Sequence, residues 1–256
     1  MANSSIQVID RGLDLLELLA TSENGMTIAE LSSATGLPKS TIHRILATYA
    51  ERHYVEQNEE SRVYCLGYKV VEIASLFLNK IVLKTEAAPI MHDLAASFDC
   101  TSYLGVLEKG EVMYLERAER FNSLRLYTQI GKREPVYCTA LGKVLSAALP
   151  EDEFMYLARH LSYIPYTPSS VKNYEEFAKE VAFAREHGYA VDREEHTAGS
   201  YCIAVPVYDY TRKVMAAMSI SGPGLLTKYD EQFLADRMRD AAMELSRRVG
   251  YTVPNN

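Results

Sequence analysis

Long apolar runs are missing from this chain of 256 residues: no stretch of 18 consecutive apolar residues occurs, so no transmembrane helix is expected. Its first residues, Met1-Ala2-Asn3-Ser4-Ser5, carry neither a basic run nor an apolar core. No secretory leader is expected from them, and the reading is a cytoplasmic protein. Cysteine is scarce. Cys65, Cys100, Cys138 and Cys202 lie far apart and form no Cys-x-x-Cys pair, which disfavours a disulfide scaffold or a structural zinc site. No glycine-rich phosphate loop is present. Positive charge is in deficit too: 27 Lys and Arg against 34 Asp and Glu leave a net charge of −7. That argues against a nonspecific polyanion binder and leaves a specific one open.

What is present is globular. Hydrophobic residues make up 48% and charged residues 24%, unlike a disordered segment. The length suffices for one large domain or two ordinary ones. Residues 6–20 read as an amphipathic helix. Ile9, Leu13, Leu16 and Ala20 fall near helical spacing, Leu19 widens the apolar face, and Asp10, Arg11, Asp14 and Glu17 stand between them. Ser22, Asn24 and Gly25 end it. Thr27-Ile28-Ala29-Glu30 is a capping box, with Met26 and Leu31 at the staple positions. Gly36 supplies a left-handed stop. Pro38 opens a further helix that runs to about Arg52, so two helices meet through a very short turn.

On that further helix Ile42, Ile45, Leu46 and Tyr49 form one apolar face, while Ser40, Arg44 and Ala47 lie opposite. Thr41 and His43 flank the polar face, and Lys39 stands at the helix start. Short, donor-rich side chains there suit a DNA major groove; an ordinary solvated surface is the alternative. Residues 54–57 and 63–66 read as two short strands around the turn 58–62. Three helices followed by a β-hairpin is the order of a winged helix-turn-helix, with Arg62 as a wing contact to phosphate or minor groove. Residues 1–67 hold only five Lys and Arg against nine Asp and Glu. A DNA binder of this kind must focus its positive charge on one face.

Gly36–Gly67, with its Gly-Leu-Pro-Lys-Ser-Thr-x-x-Arg run and closing Tyr-x-Leu-Gly, resembles the DNA-binding domain of the IclR family of bacterial transcriptional regulators. Cys138–Leu145, His187–Asp209 and Met218–Pro223 extend the resemblance over nearly the whole chain. It implies an α+β protein: a winged helix-turn-helix at 5–67, a linker helix at 68–83 and a GAF-like effector-binding domain at 84–254. The apolar stripe Val70, Ile73, Phe77 and Ile81 in the linker calls for a partner helix, either within one protomer or, as the family pattern favours, across a dimer. A homodimer, and a dimer of dimers, is implied by the same resemblance. Residues 123–147 resemble in particular the 2-keto-3-deoxygluconate (KdgR-like) repressor subgroup; many family members carry His where this chain has Tyr137.

In the second half, helices are expected near 84–97, 139–149, 151–161, 174–187 and 229–249, and strands near 101–107, 111–116, 123–128, 189–193, 201–208 and 214–221. Three features point to a ligand cavity. Alternation puts Met215, Ala217, Ser219 and Ser221 on one strand face, and Cys202 and Ala204 on a neighbouring one. These side chains are small for a packed core, although a bulky helix above them would also explain it. The amides of Ala140, Leu141 and Gly142 are donors at a helix start, which favours an anion, water or a Thr139 cap being the alternatives. Asp192, at an expected strand end before Glu194, Glu195 and His196, is an acceptor for a ligand hydroxyl, solvation or pairing with a lysine or arginine being the alternative. The family pattern places the equivalents of Asp192, Cys202, Ser219 and Ser221 in the effector pocket and an effector carboxylate on the backbone amides of Ala140 and Leu141.

The resulting reading is a DNA-binding regulator, with repression favoured over activation. It contacts a double-stranded operator through Lys39, Ser40, Thr41, His43, Arg44 and Arg62, and binds a small carboxylate, of keto-sugar-acid type, through Ala140, Leu141, Asp192, Cys202, Ser219 and Ser221. No cofactor, metal or catalytic group is called for. The rival readings are a metabolic enzyme, with Asp192, His196 and Cys202 as nucleophile constellation or metal ligands, and a protein-binding module.

Overall fold

The computed structural model describes residues 6–78, 82–119 and 130–252. The chain divides into two compact units, Met1–Lys80 and Ile81–Asn256.

The first unit contains α1 (Gln7–Thr21), α2 (Ile28–Thr35), α3 (Lys39–Glu51), β1 (Val55–Gln57), β2 (Tyr64–Leu66) and α4 (Tyr68–Leu78). Both halves of the capping box form at the start of α2: Thr27 accepts from the Glu30 amide, and Glu30 accepts from the Thr27 amide at 2.7 Å. Gly36, at φ +69°, ends the helix in the left-handed region, where a side chain is strained. Pro38 is the N-cap of α3 rather than part of its first turn. The antiparallel hairpin β1–β2 pairs Val55 with Leu66, and Met26 adds a one-residue bridge to Tyr64. Leu15, Leu19, Leu31, Ile42, Leu46, Val55 and Tyr64 form the core.

One expectation fails here. The buried side of α1 is Gly12, Leu15 and Leu19, not the stripe of Ile9 and Leu13, both of which are more than half exposed. The leucine-rich segment offers two apolar faces. The one containing Gly12 wins because a Cβ there would stand 2.2 Å from the Tyr49 hydroxyl of α3, so only glycine admits this close approach.

Within the expected linker at 68–83, the described residues are helical over Tyr68–Leu78 (α4) and again from Val82. Val70 is half-buried and Ile73 exposed. The side chains of Phe77 and Ile81 lie outside the described residues, as does the expected strand at 123–128.

The second unit contains α5 (Val82–Phe98), β3 (Thr101–Glu108), β4 (Glu111–Glu119), β5 (Arg133–Pro135), α6 (Ala140–Ala147), α7 (Glu151–His160), α8 (Tyr174–His187), β6 (Ala190–Arg193), β7 (Ser200–Tyr208), β8 (Val214–Pro223), α9 (Leu225–Lys228) and α10 (Glu231–Arg248). Its antiparallel sheet has the order β5-β4-β3-β8-β7-β6. Alternation divides the side chains of β7 and β8 between two cores. Ile203, Val205, Val207, Met218 and Ile220 point to α5 and α10. Ala204 and Ala217 point to α6 and α8. The large aliphatic side chains fill the first layer, and the small ones let α6 approach the sheet closely. Gly142 permits a second close contact, since a Cβ there would lie 2.3 Å from the Val136 backbone. Among the described residues the expected helices and strands are present; β5 and α9 were not anticipated.

Candidate effector cavity and DNA-facing helix

At the start of α6 the small-residue face opens into a cavity of about 240 Å³. Ala140, Leu141, Asp192, Cys202, Ser219 and Ser221 all line it. Sheet register brings them together: Asp192 pairs with Cys202, Cys202 with Ser221, and Ala204 with Ser219. Ala204 and Ala217 are instead covered by α6 within the core, so close packing under a helix accounts for them and open space for Ser219 and Ser221. Met215 lies on neither wall and is partly exposed.

At the helix start, Thr139 Oγ1 accepts from the Gly142 amide at 3.2 Å. Gly142 is therefore a capped donor, as the alternative of a Thr139 cap has it, and is not free for an anion. Helix geometry leaves Ala140 and Leu141 without an intrahelical acceptor.

Asp192 is 3% exposed, and its Oδ1 accepts from the Glu195 amide at 2.7 Å. Burial raises its carboxyl above the usual aspartate range, partly offset by that amide and by Lys143. Cys202 donates from Sγ to Ser221 Oγ at 3.0 Å, and Ser200 and Ser221 share a hydroxyl contact at 3.1 Å. Burial, reinforced by the Asp192 charge, pushes the Cys202 thiol up to about 12. A neutral thiol at physiological pH is a poor nucleophile.

The sequence reading missed a charged wall. Glu134, on β5, accepts from His196 Nε2 at 2.9 Å and from Lys132 Nζ at 2.6 Å. Burial raises the Glu134 carboxyl, but these two cations more than reverse it and hold it below the usual range. Its bond to Glu134 holds the His196 imidazole above its ordinary value, against the effect of burial. The stacked rings of Tyr103 and Tyr114, with centroids 5.0 Å apart, complete the lining. A three-residue strand ending in proline gave no periodic signal for Glu134.

Tyr137 is not on the cavity wall. Its hydroxyl donates to the Ile164 carbonyl at 2.8 Å and accepts from the Ile164 amide at 2.9 Å. It therefore pins the segment that carries Tyr166, whose ring lies 4.9 Å from that of His196.

In the first unit, Ile42 and Leu46 bury one side of α3. Lys39, Ser40, His43 and Arg44 are exposed, and Thr41 is half-buried. Arg62 is exposed in the β1–β2 turn at φ +58°. Among the described residues, no ion pair engages Lys39, Arg44 or Arg62.

The IclR helix-turn-helix domain matches residues 8–59, and the C-terminal domain of the bacterial transcriptional regulator IclR matches residues 75–247. The Escherichia coli K12 regulator XynR is 35% identical over 96% of this chain and 98% of its own length. KdgR of the same organism is 34% identical over 90% of this chain and 88% of its own. The crystal structure of Thermotoga maritima IclR superposes with a TM-score of 0.75 at 25% identity, covering 96% of this chain and all of that one. This membership sets the enzyme and protein-binding readings aside. The chain belongs to the IclR family of bacterial transcriptional regulators, with a DNA-binding winged helix-turn-helix followed by an effector-binding domain.

Proposed function

We propose that the cavity at the start of α6 binds a small polyhydroxylated monocarboxylate, of the keto-sugar-acid type, and that this acid controls operator binding by α3 and the hairpin turn. The carrying observation is the convergence of Ala140, Leu141, Asp192, Cys202, Ser219 and Ser221 on one cavity. A carboxylate accepts from the Ala140 and Leu141 amides, where the helix dipole also favours an anion. Buried hydroxyls then need acceptors. Asp192 accepts, and Ser219 and Ser221 accept or donate. The buried carboxylates Asp192 and Glu134 disfavour a second anionic group on the ligand. The resemblance of 123–147 to the KdgR-like subgroup supports a keto sugar acid.

On the DNA side, Arg44 and His43 read base edges from α3, Lys39, Ser40 and Thr41 engage the backbone at its start, and Arg62 makes the wing contact. A dimer on a palindromic operator, and a dimer of dimers, follow from the family reading.

Isothermal titration with 2-keto-3-deoxygluconate and a panel of keto, aromatic and neutral compounds tests the cavity. Asp192→Ala should lower effector affinity by about 1.5–3 kcal/mol, the range for a hydrogen bond to a charged group. Effector-free operator binding should stay unchanged. Tight binding of a neutral or cationic compound would overturn the anion site, and wild-type affinity in the variant would remove Asp192 from it.

A further inference from the structure

Lys143 lies on α6 and is fully buried. Its ammonium donates three hydrogen bonds: to Glu180 Oε2 on α8 at 2.7 Å, to the Val191 carbonyl on β6 at 2.8 Å, and to Glu195 Oε1 at 2.6 Å. A buried ammonium is costly to dehydrate, and a well-packed aliphatic side chain often serves stability as well or better. The positions of the acceptors give this charge a second use.

Val191 immediately precedes Asp192. Glu195 presents its own amide to Asp192 Oδ1 at 2.7 Å. One ammonium therefore holds the backbone carbonyl just before Asp192 and the side chain of Glu195, whose amide binds the Asp192 carboxylate. The same side chain grows from the first turn of α6, where Ala140 and Leu141 face the cavity. Lys143 does not itself line the cavity, so it acts on a ligand only through the groups it holds. Among the described residues Glu195 Oε2 has no hydrogen-bond partner, and Oε1 has only Lys143 and a long 3.4 Å contact from the Arg193 amide. The Glu195 carboxylate is thus held chiefly by Lys143, while its carbonyl accepts from Ser170 Oγ at 2.6 Å and Thr167 Oγ1 at 3.3 Å.

We propose that Lys143 is a positioning residue for the effector: it fixes the spacing between the Ala140 and Leu141 amides and the Asp192 carboxylate, and thereby selects acids whose length spans both. This rests on the effector reading above.

The test uses Lys143→Met/Glu195→Gln in the full chain, so that the Glu195 carboxylate is not left buried without its cation. Two acids serve as probes. Pyruvate and 2-keto-3-deoxygluconate share a 2-keto acid head, and only the second has the hydroxylated tail that would reach Asp192. The double variant should bind 2-keto-3-deoxygluconate at least about tenfold more weakly and lose less than about threefold for pyruvate, because only the longer acid uses the spacing. Adding Asp192→Ala to it should cost less than about twofold more, since groups acting as one unit are not additive. Equal losses for both acids, no loss for either, or full additivity with Asp192→Ala would overturn the proposal. A wild type that binds neither acid would overturn the effector reading with it, whereas a wild type that binds both beside an indifferent variant overturns this inference alone. Should the double variant fail to fold, Glu195→Gln alone should weaken the longer acid severalfold, and an unchanged affinity would count against the proposal. A crystal structure of the ligand-free double variant gives a readout without ligand: retention of the Asp192 bond to the Glu195 amide would also overturn it.

Discussion

The Glu134–His196 pair is the residue-level feature that a pH titration reads most directly. The imidazole of His196 is raised above its ordinary 6.5 by its bond to Glu134. A base with a raised folded-state pKa contributes stability that is full below its unfolded value and lost as pH rises through the folded one. The Glu134 carboxyl, lowered from its ordinary 4.5 despite burial, contributes stability that is present above that value and lost as pH falls through the folded one. The pair therefore stabilises most between about pH 4.5 and 6.5. His196→Gln should lower the melting temperature of the second unit most within that window, and the difference from wild type should shrink as pH rises above it. A difference that grows toward alkaline pH would show that His196 is held neutral and that the ion pair is not formed. Tyr137 teaches a related point about single side chains. Its identity marks a subgroup in the sequence, yet its hydroxyl is spent on Ile164 and its side chain lies off the cavity wall.

At the scale of elements, α3 carries the DNA reading. Arg44→Ala should weaken operator binding by about 1–3 kcal/mol and relax preference at one base pair, as expected for a bidentate contact to guanine. Lys39→Ala should weaken all sequences alike and reduce the salt slope by about one. Salt-dependent binding curves for both variants check this, and unchanged curves would remove α3 from the groove. The same scale shows what the sequence makes legible. The α2 boundaries follow from Thr27, Glu30 and Gly36, and the α6 start from Thr139, because a cap is a local chemical event within a few residues. The Cys202 and Ser219 faces follow from strand alternation. The buried side of α1 was misjudged because four leucines at 15, 16, 18 and 19 supply two faces, and the choice depends on Tyr49 of α3. The role of Lys143 was invisible for the same physical reason. Its partners stand 37, 48 and 52 residues away in sequence, and a lysine on a helix reads as solvated until the sheet register places Val191 and Glu195 beside it. Glu134 was missed with β5, whose three residues carry no periodicity.

For the whole molecule, the account requires that the acid and the operator prefer different conformers of one chain, with reciprocal effects on each other's affinity. A ligand that binds both conformers equally shifts nothing, however tightly it binds. The decisive measurement is a fluorescence-anisotropy titration of the full chain onto an operator fragment recovered by genomic pull-down, with and without saturating acid. The account predicts that the acid changes operator affinity by about 5–150-fold, the usual span of allosteric coupling, and that Asp192→Ala removes the change at the same acid concentration while leaving acid-free binding intact. An acid that occupies the cavity in calorimetry but leaves the operator isotherm unmoved would contradict it.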